Sequence, residues 1–184
     1  VLEGAMAADP GHPGAKHFYI HAVEASKDPA RALAAAEALT DLVPGAGHLV
    51  HMGTHIDVLC GDYQNVLYRN LAAAKLDEKF KTYAGPANFY ALYRIHNLHF
   101  VFYGAMFLGQ KAAAVDAAIR LREEVPDEVV RSYPDIFETF VAAAPHVDIR
   151  SGWWSEIVDL AQPEDKQLYL TTNDLIYYAT AVTL

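Results

Sequence analysis

The stretch VPGAGHLVHMGTHIDVLCGDY, Val43 to Tyr63, carries two patterns at once. Pro44-Gly45 stops one helix and Gly61-Asp62 turns the chain out of the next. Between these signals His48, His51, His55 and Val58 follow at steps of three, four and three, which sets them along one face of a helix. Moved back by 34 residues, the same stretch overlays an earlier one: Gly61-Asp62-Tyr63 falls on Lys27-Asp28-Pro29, His51 on His17, His55 on His21 and Met52 on Phe18. A fixed internal period of this size is the mark of a repeat architecture.

The period extends in both directions. Gly109-Gln110-Lys111 aligns with Gly61-Asp62-Tyr63 at an offset of 48, which is 34 plus an insertion of 14 residues between about Lys81 and Arg94. Gly152-Trp153-Trp154 offers a fourth turn, followed by a short helix from Ser155 to Leu160 and a final one from Leu168. Strand signals are scarce, whereas Ala-rich runs with apolar residues three and four apart fill Ala30 to Leu42 and Ala112 to Glu124. The expectation is an all-α chain, one domain over residues 1–184, with repeats at about 13–46, 47–80 and 95–128 and an irregular fourth at about 134–184.

In Gly61-Asp62-Tyr63 followed by Val66, Ala73 and Asp77, and in Gly109 followed by Ala114 and Pro126, the chain resembles the tetratricopeptide repeat (TPR) family. The strings HPGAKHFYIH (His12 to His21), VPGAGHLVHMGTHI (Val43 to Ile56) and HNLHF (His96 to Phe100) are similar to those of a His-rich bacterial subgroup of TPR-like proteins. The resemblance covers about Pro13 to Leu184 and implies a right-handed solenoid, an α-α superhelix of antiparallel helix pairs, with the first helix of each pair lining the concave side. One departure is that Ile20, Thr54 and Phe102 stand where the family has a small residue, which predicts looser packing.

Eight of the nine histidines fall in or at the start of these first helices. His17, His21 and Glu24 share one face, as do His48, His51 and His55, and as do His96, His99 and Tyr103. The repeat offsets make His17, His51 and His99 equivalent, then His21, His55 and Tyr103, then His48 and His96. The nine residues from His17 to Tyr103 in these sets are the candidate ligand groove. Imidazoles at i and i+4 can share an ion, and His17, His21, His51, His55 and His99 are the candidate metal ligands. Nitrogen donors favour Zn, Cu, Ni or Fe over Ca or Mg. Three readings stay open: a metal or small acidic ligand, a peptide or protein held by histidine contacts, and histidines that only satisfy hydrogen bonds between helices. A binding module with a His-lined groove is the leading expectation, and a metal-dependent enzyme with a multi-His site in that groove, using Glu24 or His48 for proton transfer, is the alternative.

Composition bounds the rest. A formal net charge of -9 with no clustered Lys or Arg argues against nucleic acid and anionic membranes as partners. No run approaches the roughly 18 apolar residues of a spanning helix. Cys60 is the single cysteine, which suits a reducing compartment and makes the cytoplasm the default. There is no Walker loop, GxGxxG, GxSxG or HExxH. Asp77, Glu78, Lys79, Arg120, Arg122, Glu123 and Glu124 read as solvated faces, and at least one of Trp153 and Trp154 as core. A start at Val1 and an apolar last helix set the expectation of a piece of a longer chain, its end covered by further residues or by a second copy.

Overall fold

Helices account for all the regular structure in the computed structural model, which describes residues 1–85 and 88–183. The chain divides into two compact units, Val1–Gly104 and Ala105–Leu184. Residues 86 and 87 of the expected insertion, and the last residue of the expected fourth repeat, lie outside the described residues.

The first unit contains α1 (Leu2–Ala8), α2 (Pro13–Glu24), a single-turn 3-10 helix (Pro29–Ala32), α3 (Leu33–Leu42), α4 (Gly47–His51), α5 (Thr54–Cys60), α6 (Tyr63–Ala84) and most of α7 (Ala91–Phe107). His12 starts α2: its Nδ1 accepts the Ala15 N–H at 3.3 Å, and Pro13 occupies the first turn, where a missing N–H is harmless. This local role accounts for His12. Asp62 likewise starts α6 by accepting the Asn65 N–H at 3.0 Å. The core joins Tyr19, Ile20 and Val23 of α2 to Ala32, Ala35, Ala36 and Leu39, and to Met52 and Ile56. Repeat two does not have one unbroken first helix: α4 and α5 are separated at Met52 and Gly53, yet both residues keep right-handed helical angles, so the side-chain register carries across.

Packing is close where the repeat pattern predicts it to be loose. A Cβ at Gly104 would meet Val66 Cγ1 at 2.9 Å and the Leu67 amide at 3.1 Å, and one at Gly53 would press on the Arg69 guanidinium. Ile20, Thr54 and Phe102 are buried, and Gly53 next to Thr54 and Gly104 two residues after Phe102 allow the close approach in the second and third cases. Asp77 is also not a solvated residue: it is buried, with Tyr90 Oη donating to one oxygen at 3.0 Å and Asn97 Nδ2 to the other at 2.7 Å.

The second unit contains α8 (Lys111–Glu124), α9 (Asp127–Ser132), α10 (Pro134–Val141), α11 (Ala143–Ser151), α12 (Trp154–Val158) and α13 (Leu170–Thr183). Ala114, Ala117, Leu121, Phe137, Val147, Ile157 and Ile176 form its interior. Glu138, buried on α10, accepts the Thr172 N–H at 2.8 Å and so satisfies a free donor in the first turn of α13. Lys111 lies over the Trp153 ring, while Trp154, Leu170, Tyr177, Tyr178 and Val182 are exposed.

The repeat turns are one structure made three times. Gly61, Gly109 and Gly152 each have φ near +70°, at 76°, 67° and 67°. The following residue closes a bond five residues back: Asp62 to Asp57 at 2.9 Å, Gln110 to Ala105 at 2.8 Å and Trp153 to Asp148 at 3.0 Å. That is the Schellman ending, which needs a left-handed residue and therefore a glycine. The turn at Lys27-Asp28 has no glycine and uses the 3-10 helix instead.

Candidate metal centre

Helical spacing delivers the histidines of α2, α4, α5 and α7 as adjoining rings. His17 and His48 approach at Nε2···Nε2 3.3 Å, His21 and His55 rings are centred 5.3 Å apart, and His51 rings meet those of His55 and His96 at 5.0 and 4.8 Å. His21 and His55 are repeat equivalents, whereas two other contacts between first helices share a shift. His48 meets His17 and His96 meets His51, each partner lying three residues before the repeat-equivalent one (31 against 34, and 45 against 48).

His51, His55 and His96 converge: one nitrogen from each lies within 4.8 Å of the other two, and among the described residues no fourth His, Cys, Asp or Glu joins them. His96 was expected in the groove without being placed among the ligands. Of the expected ligands, His51 and His55 are in this set. His17 pairs with His48, His21 Nδ1 bonds Glu24 Oε1 at 3.0 Å, and His99 packs on Phe102 with ring centroids 5.7 Å apart. Tyr103 lies beside Phe100 and Tyr63.

The outer partners fix how the rings present themselves. Asn70 Nδ2 donates to the Val66 carbonyl at 2.6 Å and to Thr54 Oγ1 at 2.8 Å, so its Oδ1 faces His51 Nδ1, 2.7 Å away. His51 Nδ1 must then carry the proton. His55 Nδ1 likewise donates to Glu24 Oε2 at 2.7 Å. In the neutral form both rings therefore aim bare Nε2 lone pairs at one another across 3.1 Å.

Burial keeps them neutral. It depresses the His51 pKa well below the usual imidazole value, helped by His96 and His55 and opposed by Asn70. His96 is pulled down to about 4, again chiefly by burial, then by His55 and His99. His48 also falls to about 4, through burial and its histidine neighbours. Burial lowers His55 too, against the pull of the Glu24 carboxylate. Removal from water penalises a cation more than a neutral ring, so these groups are unprotonated donors at neutral pH.

Neutral imidazoles oriented by an amide and by a carboxylate are what a nitrogen-rich metal site requires. Two nitrogens each 2.0–2.1 Å from an ion at a tetrahedral angle stand about 3.3 Å apart, and the His51–His55 separation of 3.1 Å is close to that. Around them Phe100 lays its ring against all three imidazoles, with centroids 5.0, 5.6 and 4.9 Å from His51, His55 and His96. Behind them the Asp77–Tyr90–Asn97 network holds the start of α4, where Tyr90 Oη accepts the His48 N–H at 3.1 Å. Burial drives the Tyr90 pKa up to about 12, with Asp77 adding to it.

Asn70 is the functional position that sequence reasoning missed. A signal was present: Asn is a poor residue for the interior of an Ala-rich helix such as Val66 to Lys75, and earns such a place through a side-chain bond. Glu24 holds His55 and His21, Asn97 holds Asp77, and Tyr19 donates to Glu3 at 3.0 Å, away from the three imidazoles.

No family model matches the chain, and no curated protein and no solved structure matches it either.

Proposed function

We propose that this protein is a helical-repeat metal-binding module in which His51, His55 and His96 hold one divalent transition-metal ion. The observation that carries the reading is the pair of bare Nε2 lone pairs of His51 and His55 facing each other at 3.1 Å. Two buried acceptors repel, and burial opposes the proton that would bridge them. A cation with nitrogen affinity removes the conflict, and a set of imidazoles selects Zn, Cu, Ni or Fe. We read the helix pairs as a TPR-like right-handed superhelix, with α2, the α4–α5 pair and α7 as the helices that line its groove. The recurrent Schellman turns support that reading.

The test is uptake by the untagged chain. Metal-free protein titrated with Zn(II) or Co(II) should bind one equivalent and melt at a higher temperature. His96→Gln should bind at least about tenfold more weakly, with its far-UV helical signal unchanged. A melting temperature indifferent to Zn(II), Co(II), Cu(II), Ni(II) and Fe(II) alike, with no stoichiometric uptake of any of them, overturns the proposal.

A second reading, metal-dependent catalysis, is favoured by the ligand count. Three protein donors with no fourth among the described residues is the pattern of an open site, where a water or substrate takes the remaining position. Glu24, bonded to His55 Nδ1 at 2.7 Å, is the carboxylate this reading would assign to proton transfer. Turnover by the metal-loaded chain that His96→Gln abolishes would establish it.

A further inference from the structure

One helical turn beyond the three imidazoles, the first unit has an open, shallow cavity of about 340 Å³ lined by Glu24, Ala25, His55, Val58, Leu59 and Phe100. Its position follows from spacing. Val58 and Leu59 stand three and four residues on from His55, and Phe100 stands four on from His96, so each lies a turn along its helix from an imidazole. Phe100 thus belongs to both places, touching all three rings and forming a wall of the cavity. The volume falls within the roughly 300–1,000 Å³ of small-molecule sites, and apart from Glu24 and His55 the walls are apolar.

We infer that this cavity seats a small aromatic monocarboxylate, whose oxygens complete the coordination of the ion held by His51, His55 and His96 and whose ring lies against Val58, Leu59 and Phe100. The inference rests on the metal reading above. Three neutral imidazoles leave the full charge of a divalent ion uncompensated, which favours an anionic head. Glu24, with its Oε1 bonded to His21 and its Oε2 to His55, offsets part of that charge from outside but leaves the remaining coordination position to an exogenous donor. The apolar walls in turn disfavour a hydrated inorganic anion and reward a body that displaces water from them.

Cobalt(II) reports on the occupant because its visible bands change with the donor set. The Co(II)-loaded full chain is titrated with benzoate and with acetate, which share a head and differ in the apolar body. Benzoate should bind about tenfold or more tightly than acetate, the gain expected from burying one ring. In the Val58→Asn, Leu59→Gln double variant, which changes cavity wall without touching an imidazole, the preference should disappear while cobalt stoichiometry and acetate binding persist. Equal binding of the two anions, bands indifferent to both, or a preference that survives in the double variant would each overturn this inference and leave the metal site standing. A wild-type chain that takes up no cobalt overturns the metal reading, and this inference with it.

Discussion

His51 Nε2 faces His55 Nε2 at 3.1 Å while the opposite nitrogen of each ring is committed, to Asn70 on one side and Glu24 on the other. Four residues apart on consecutive helical segments, the two rings are held in a state that neither would adopt in solvent. Their geometry generates most of what can be tested.

The Asn70 amide orients His51. Asn70→Leu should lower metal affinity by about 10- to 100-fold, since the ring loses the partner that fixes its tautomer. It should also destabilise the metal-free chain by roughly 1–3 kcal/mol, because His51 Nδ1–H is left buried and unpaired. Competitive zinc titration and urea unfolding read the two effects separately. An unchanged zinc affinity would show that Asn70 only packs.

Acid should unfold the metal-free protein through the same groups. His48 and His96 titrate near 4 and His51 well below its usual value, all lower than the roughly 6.5 of the unfolded chain. Between about pH 6.5 and 4 the unfolded state therefore binds more protons, so the stability present above that window is lost as pH falls through it. The urea midpoint should drop steadily from pH 7.5 to 4.5, with a shallower drop in His48→Gln. A flat midpoint would mean that the rings are not held neutral.

Gly104→Ala should destabilise by about 1–3 kcal/mol, because the added Cβ would sit 2.9 Å from Val66 Cγ1 and 3.1 Å from the Leu67 amide, where backbone has to shift. Gly61→Ala provides a contrast. Its Cβ meets open space, and the expected loss of about 1 kcal/mol comes only from holding φ at +76°. Urea unfolding of both variants should rank them in that order.

Arg69 should be the costliest polar side chain to remove. It donates to Asp57 at 2.8 Å and to Glu37 at 2.6 Å, and also bonds Thr40. Asp57 is 1% exposed, and burial raises its pKa against the pull of Arg69. Arg69→Ala leaves that carboxyl buried and unpaired, a loss of roughly 3–5 kcal/mol. Glu37→Ala, whose carboxylate is 75% exposed, should lose no more than about 1 kcal/mol. Thermal melts of the two variants check the difference.

Much of this was legible from residue order. The glycines at 61, 109 and 152 end helices in the same way because a left-handed residue is a local requirement. Histidines three and four apart share a face for an equally local reason. Only part of the pairing across helices was legible: His21 meets its repeat equivalent His55, but other pairs are shifted. Repeat equivalence matches His99 with His51, yet His96 meets it, just as His48 rather than His51 meets His17. Three residues are about 4.5 Å of helix rise, and an offset of that size between neighbours leaves no trace in a period.

By itself, the sequence determined an all-helical chain, the glycine turns at 61, 109 and 152, and the spacing that sets its histidines along shared helix faces. Only the tertiary structure decided that His51, His55 and His96 form the set, that Asn70 and Glu24 orient two of them, and that Phe100 closes over all three. The reason is physical. Periodicity sets the angle of a side chain about its own helix, whereas the distance between imidazoles depends on how far one helix slides along another, and close packing at positions such as Gly104 and Gly53 sets that slide.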